Sequence, residues 1–478
     1  MISYDDNYVI YEKEYSETKK IIKDALIEGD VLKTISLLRY ITTGYYTINY
    51  TYMDDELEDI LFKVSSLLLG TTEIRIINNN SIIFYDGFGL LNRGLCTIYV
   101  EALVRIGYEV IWILYEYEPD TKQIVEKYEC QGVKFIVIPK SNILNRMKVL
   151  RDIVKDISPF AIMIYTTPYD VAGLGVLSTL SGNTKRFLID LTDHAYWIGK
   201  KSFDVLIGFR NIGYNIAVSY RGIDEDKICI LPYYPQKREK KEFEGMPFDL
   251  GEYSYVFSGG SAYKIEGDNK FEKIVRHILQ YHSSTNFVYA SNDTNPIIEG
   301  LKKRYENRFF HIRERQDLDE VMKHSRLYLS TYPIHGGLME QYAVSNYVPL
   351  VCLIDGIDSV DDCDMFLDSE RMNFQFYSIN DLYKEVDRIL KDEEYCNEIR
   401  KHMHGQLISE ERFERELKSI LECGVSSFKG YRKAYDIDGF LKLYKKNADM
   451  EMFRKLVRES RNRWVYDRHP EIVKEANG

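Results

Sequence analysis

From Ser81 onward, short apolar runs of strand length alternate with amphipathic stretches of helical length, and the alternation happens twice. In the first series SIIFYDGFG, YEVIWILYE, VKFIVIP, FAIMIY, RFLIDL, FDVLIGF and KICILPYYP read as strands. LLNRGLCTIYVEALVRIG, NRMKVLRDIVKDI and NIGYNIAVSYRGI read as helices between them. A charged stretch with Pro and Gly but no period, QKREKKEFEGMPFDLGE, then breaks the pattern. Past it YSYVFSGG, NFVYA, RFFHI, RLYLS and PLVCLI are strands, separated by helices such as NKFEKIVRHILQYH, NPIIEGLKKRY and DLDEVMKHS. Strand–helix alternation of this length builds a parallel sheet with helices on both faces. The fold class is therefore α/β, with two Rossmann-like doubly wound domains and a seam near residue 245. Ligands of such sheets sit at the carboxyl ends of the strands.

The flanks are helical. KKIIKDALIEGDVLKTISLLRYI and DDELEDILFKVSSLLLG carry apolar residues at helical spacing, with acids opening the second. TTGYYTINYTYM between them is β-branched and aromatic and reads as a long turn or a short strand. DLYKEVDRILKDEEYCNEIRKHM reads as one amphipathic helix or two, and the end of the chain reads as helix as well. The division is a helical segment over 1–75, a first Rossmann-like domain over 76–245, a second over 246–425, and helices over 426–478.

At 478 residues the chain is too long for a single core. A net charge of −11 argues against a nucleic-acid binder. No run of 18 apolar residues offers a transmembrane helix, and the acidic start lacks the plan of a signal peptide. Seven scattered cysteines without a CxxC pair suit a reducing, cytoplasmic setting and no cysteine metal site.

Three stretches of the second series carry candidate chemistry. Phe257 to Ile265 runs a strand into Gly259-Gly260, with Lys264 four residues beyond, where an ammonium can neutralise a diphosphate. His335-Gly336-Gly337 opens a helix whose first free N–H groups and dipole face the same loop, and Glu340 follows on its first turn. Such a turn suits phosphate by its amides and ribose hydroxyls by its carboxylate; it is equally what an ordinary strand–helix turn looks like. Phe310 to Leu318 forms the loop before the next helix, a usual place for base or ribose contacts.

In the first series Gly87, Gly89, Asn92 and Arg93 follow the first strand in a Gly-rich turn. Asp190, Asp193, His194, Tyr196 and Trp197 end another strand. His194 is the candidate general base, because an imidazole takes a proton near neutral pH. Asp193 or Asp190 could orient or replace it, and Tyr196 and Trp197 could stack on a sugar. His194 could equally be a structural histidine. Asp362-Cys363-Asp364 spells a metal-chelating motif but sits in an acidic loop best read as solvated, so no metal is expected.

Two Rossmann-like domains facing a cleft resemble the GT-B glycosyltransferases. In those enzymes an acceptor- and phosphate-facing loop commonly stands where Gly87, Gly89, Asn92 and Arg93 stand here. SAYKI, followed by HGGLMEQYAVSNYVPLV, resembles the donor half of glycosyltransferase family 41, which includes protein O-GlcNAc transferase and bacterial cytoplasmic protein glucosyltransferases. The resemblance implies that Lys264 meets the pyrophosphate, His335 holds phosphate and Glu340 holds the ribose. Gly336 and Gly337 stand where that family has threonines, so two hydroxyl donors are missing. Tyr332 stands where the wider group often has the first of two glutamates. The implied activity is inverting, metal-independent transfer of glucose or GlcNAc from a UDP-sugar to a protein or glycan, with no cofactor. A non-catalytic GT-B partner subunit and a sugar-nucleotide epimerase are the alternatives. An oligomer, a partner subunit and peripheral membrane contact all remain open.

Overall fold

The computed structural model describes residues 4–48, 51–89, 95–115, 122–139, 141–236, 241–266, 269–354 and 374–437. The strands of the first series are β1 (Thr72–Ile74), β2 (Asn78–Asp86), β3 (Glu109–Tyr115), β4 (Lys134–Ile138), β5 (Pro159–Tyr165), β6 (Leu180–Gly182), β7 (Lys185–Ile189), β8 (Val205–Gly208) and β9 (Ile228–Ile230). Seven of them form one parallel sheet in the order β4-β3-β2-β5-β7-β8-β9, while β1 and β6 pair by themselves. The second series supplies β10 (Ser254–Gly259), β11 (Thr285–Ala290), β12 (Phe309–Ile312), β13 (Leu327–Leu329), β14 (Leu350–Leu353) and β15 (Gln375–Phe376), ordered β12-β11-β10-β13-β14-β15. Both sheets thus reverse strand order beside their first long strand, between β2 and β5 and between β10 and β13. That reversal opens a crevice at the carboxyl edge, the place where doubly wound sheets bind ligands.

Central strands are apolar on both faces because helices cover both. Ile82, Ile83, Phe84 and Tyr85 of β2 are fully buried, with Phe84 in register with Trp112 of β3 and Met163 of β5. The helix Val171–Ser178 is buried at every position, so it has no polar face and no period to read. Only its Asp170 cap, accepting from Gly173 N at 2.9 Å, marks its start.

Three helices, Tyr4–Ile27, Val31–Ile48 and Asp55–Leu69, precede the first sheet. Thr42 to Ile48, expected as turn or strand, continue the second helix. Packing overrides their low helix propensity: Tyr45 sits edge-on between Tyr15 at 4.3 Å and Tyr196 at 5.0 Å. The helices dock on the first domain through a buried carboxylate. Glu58 accepts from Gly199 N at 2.8 Å and Lys200 N at 2.9 Å.

Burial pushes the Glu58 carboxyl up to about 8, against the pull of those two amides. The unfolded value is about 4.3. Between the two the native chain holds a proton that the unfolded chain has released, so stability falls as pH rises from about 4.3 to 8, by at most about 1.4 kcal/mol per unit. Urea unfolding at pH 5 and pH 9 is expected to show this slope in the wild type and a flatter one in Glu58→Gln.

The chain leaves the second domain earlier than residue 425. The helix Glu410–Cys423 lies against the helix Leu95–Ile106 of the first domain. Phe413 meets the rings of Tyr99 and Tyr234, each at 5.3 Å, and Arg105 pairs with Glu414. The helical period of this segment was readable, but the surface that receives its apolar face was not. Residues 426–436, expected as helix, run without one along the first domain, where Tyr431 N donates to Asn211 Oδ1 at 2.8 Å. Residues 438–478 lie outside the described residues, as does Asp362-Cys363-Asp364. Among the described residues no helix is long and apolar enough to cross a membrane.

Candidate active site

The reversal point of the second sheet brings Lys264 and the His335 loop together across seventy residues of chain. Strand β10 ends at Gly259, and Gly260 takes φ +147°, which favours glycine. Its N–H donates to Ala290 O at 3.0 Å, and a short turn, Ala262–Ile265, then carries Lys264. The Lys264 ammonium donates to the His335 carbonyl at 3.2 Å, and Ile334 N returns a bond to Lys264 O at 3.2 Å. Gly336 occupies the N-cap position of the helix Gly337–Ser345, which has no side-chain cap. A Cβ on Gly336 would stand 3.7 Å from Lys264 Nζ. One ammonium and the open end of a nine-residue helix therefore share one small volume, an arrangement suited to an anion.

Two expected ligand groups are turned away from that volume. His335 is buried, and its Nε2 lies 2.9 Å from Leu353 O, so the ring anchors the loop to β14 where a phosphate contact was expected. Glu340 is wholly buried; its Oε1 is engaged by Ser330 Oγ and lies 3.8 Å from Cys352 Sγ. The carboxylate braces the loop from beneath and is not an exposed ribose ligand. Glu340→Gln should lower unfolding stability by about 1–3 kcal/mol, the cost of a mismatched buried polar group; an unchanged urea midpoint would show that the carboxylate does not brace the loop.

Beside the loop a cavity of about 240 Å³ opens at the carboxyl ends of β10, β11 and β12. Phe257, Leu318 and Met339 line its apolar part; Gly260, Asn292 and Glu314 contribute backbone and polar edges. Asn292 Nδ2 donates to Glu314 Oε2 at 3.0 Å, and Glu314 N donates to Asn292 Oδ1 at 3.1 Å. The wall from Ile312 to Leu318 is the loop singled out as a base or ribose contact. Ser291, Asn292 and Asp293 also line it; their signal was only their place after a strand. Arg315 also lines the cavity, and its side chain is held there by a bond to the Gly245 carbonyl at 2.6 Å and by pairing with Asp317.

In the first domain Asp86 organises the glycine turn. Its Oδ1 accepts from Phe88 N at 2.9 Å and Gly89 N at 3.0 Å, and Trp112 Nε1 donates to its Oδ2 at 3.2 Å. A methyl on Gly87 would overlap the Thr166 hydroxyl, so this glycine is required by close packing at the reversal point between β2 and β5. Asn92 and Arg93 lie outside the described residues.

The loop after β7 is held by two arginines that the sequence reading did not single out. Arg210 meets Asp193 twice, Nε to Oδ2 and Nη2 to Oδ1, both at 2.6 Å, with both groups buried. Burial alone would raise the Asp193 carboxyl; the charge and hydrogen bonds of Arg210 override it and hold Asp193 well below the usual carboxylate range. Arg221 is fully buried and donates to Ala195 O at 2.6 Å and Asp193 O at 2.9 Å, with Asp190 Oδ2 at 3.3 Å. Burial pushes Asp190 up to about 6 despite that guanidinium.

Neither aspartate is placed to take a substrate proton, since both are buried and ion-paired. His194 Nδ1 lies 3.4 Å from Asp193 Oδ1, while the imidazole stays partly exposed. Tyr196 and Trp197 are not sugar platforms. Tyr196 is packed in the core with Tyr45, and Trp197 lies beneath the Arg221 guanidinium at 4.7 Å.

No protein-family model matches the chain, and no curated protein matches it in sequence. Among solved structures TarM overlays with a TM-score of 0.53 at 8% identity, covering 72% of this chain and 99% of TarM. TarM from S. aureus, as a mutant in complex with fondaparinux, alpha-GlcNAc-glycerol and UDP, gives a TM-score of 0.51 at 9% identity over 72% of this chain and 100% of its own. The fold is GT-B. An O-GlcNAc transferase mutant from Thermobaculum terrenum spans 92% of this chain and 84% of its own at 12% identity, with a TM-score of 0.48. At 8–9% identity the likeness to TarM shows the GT-B architecture alone, and a fold of this kind does not fix a reaction.

Proposed function

We propose that this GT-B protein is a glycosyltransferase that moves glucose or GlcNAc from a UDP-sugar to a hydroxyl of a protein or glycan acceptor. The observation that carries the reading is the meeting of the Lys264 ammonium with the uncapped helix at Gly336 and Gly337, beside an apolar cavity of the same crevice. A flat base enters the cavity and the diphosphate lies against Lys264, Gly260 and the first helical amides. The family 41 likeness of SAYKI and HGGLMEQ supports the same donor, with Lys264 retained and Gly336 and Gly337 offering backbone amides alone.

In the reaction the bond from the sugar C1 to the diphosphate oxygen breaks and UDP leaves with the electron pair. The acceptor oxygen bonds C1 from the opposite face, which inverts the centre. Its proton passes to His194 Nε2, with Nδ1 steadied by Asp193. Lys264 and the helix end supply the positive field for the leaving group, so the chemistry needs no cofactor and no added Mg²⁺. The GT-B structure of TarM in complex with UDP is in keeping with a UDP-sugar donor.

Calorimetric titration with UDP, GDP, TDP and ADP, followed by product analysis with the sugar nucleotides, tests this reading. UDP binding and acceptor-dependent UDP release with a β-linked product are expected. An altered sugar nucleotide without transfer would make the protein an epimerase, and no nucleotide binding would make it a non-catalytic partner subunit.

A further inference from the structure

On the second domain, away from the crevice, two imidazoles and a carboxylate converge from two helices. His277 lies in the helix Lys270–Tyr281, and His282 is its C-cap. Asp387 belongs to the helix Ile379–Lys391, which packs alongside. His277 Nε2 is 2.9 Å from Asp387 Oδ1, and His282 Nε2 is 2.7 Å from the same oxygen. The three ligand atoms all lie within 4.8 Å of one another. We propose that His277, His282 and Asp387 form a binding site for a divalent transition metal, Zn²⁺ by preference, that ties these two helices together.

The donor set argues for the metal class. Two neutral imidazoles and one carboxylate are borderline ligands that suit zinc and its first-row neighbours and do not suit Ca²⁺ or Mg²⁺. Zinc holds nitrogen and oxygen at about 2.0–2.2 Å, which sets tetrahedral ligands about 3.3 Å apart. The Nε2–Oδ1 pairs at 2.7 and 2.9 Å are a little closer than that and all three atoms lie within 4.8 Å of one another, so a bound ion needs the carboxylate to move outward and the two rings to adjust about it. Both rings are fixed in direction: His277 stacks on Tyr383 at 4.0 Å, and His282 is buried at the helix end.

Asp387 is partly exposed, which leaves an entry path and room for a water as fourth ligand. The opposing charges are Lys391, 3.8 Å from Asp387 Oδ2 and itself exposed, and Arg308, which bonds the His282 carbonyl at 2.6 Å. Metal entry moves the ring proton of each histidine from Nε2 to Nδ1 and replaces two hydrogen bonds to Asp387 by coordination.

The two histidines lie roughly 10 and 18 Å along the helix axis from the amino end of their twelve-residue helix. That end carries Lys270, whose ammonium meets the Tyr332 hydroxyl at 3.0 Å, just before the His335 loop. The metal is thus a staple for the helix that borders the crevice and takes no part in the transfer chemistry.

The test is calorimetric titration of chelator-stripped full-length protein with ZnCl2, with thermal unfolding measured in parallel. One saturable equivalent and a raised Tm are expected. His277→Gln and Asp387→Asn should each weaken binding at least about ten-fold, the lower bound for disturbing even an outer partner of a metal ligand. Co²⁺ bound at the same site should show no thiolate charge-transfer band, which excludes capture by cysteines. Unchanged zinc affinity in both variants, a thiolate band, or no saturable binding by the wild type would each overturn the proposal and leave the trio as a hydrogen-bonded staple only.

Discussion

Alanine at Lys264 is expected to lower turnover of the UDP-sugar by about 10²–10³-fold, the loss of roughly 2.7–4 kcal/mol that follows removal of one donor aimed at developing charge. In the proposed transfer negative charge grows on the diphosphate as the C1–O bond breaks, and the ammonium stands at the loop proposed to receive it. Its bond to the His335 carbonyl, at 3.2 Å, fixes its position before any ligand arrives, so little reorganisation accompanies the reaction. The fall should appear in kcat as well as in kcat/KM, because the charge is larger in the transition state than in the bound donor. Lys264→Arg keeps the charge on a differently shaped head and should recover part of the rate. The melting temperature should stay near that of the wild type, since the side chain is only half-buried. Unchanged kcat/KM in the alanine variant would remove Lys264 from the phosphate site, and an unfolded variant would make it a brace of the loop.

The two doubly wound sheets were readable because each depends on local pattern: apolar runs of strand length separated by amphipathic helices. The pairing of Lys264 with the His335 loop was readable as two separate motifs, and strand order then decided that they meet. Direction was harder. His335 and Glu340 sit in the expected motif, yet the backbone turn points the imidazole at Leu353 and the carboxylate at Ser330, and no residue pattern encodes that. Tyr196 and Trp197 looked like exposed platforms because they follow a strand end beside polar residues. The N-terminal helices bury the first and Arg221 covers the second, contacts from segments far away in the chain. The arginines that hold the loop carried no motif at all. Arg210 and Arg221 lie 17 and 28 residues beyond Asp193 and reach it only through the fold.

Arg210→Ala is the substitution expected to cost the most stability, about 3–5 kcal/mol, because it leaves a buried carboxylate without its partner. Asp193 is almost fully enclosed and receives both Arg210 nitrogens at 2.6 Å. The helix Asn211–Ser219 comes so close that a Cβ on Gly213 would stand 2.5 Å from Asp193 Oδ2, so the site has little room for a replacing water. The pH dependence has a definite sign. A carboxyl held below its unfolded value of about 3.9 contributes stability above that pH and loses it as the pH falls through the folded value. The wild-type pair should therefore persist in acid well below the ordinary carboxylate range, whereas in the variant burial alone raises Asp193, so urea unfolding from pH 7 to pH 4 should show the variant's stability deficit narrowing as the pH falls.

Stability alone does not separate a scaffold from a device that serves His194. In the double variant Arg210→Met, Asp193→Leu the buried charges are replaced by apolar groups, and such exchanges are often neutral or stabilising. If Asp193 orients the His194 imidazole, this variant should fold well and bind UDP in the second domain as the wild type does, while kcat falls. Recovery of both stability and kcat would show that the pair only holds the loop, and would take the base from His194.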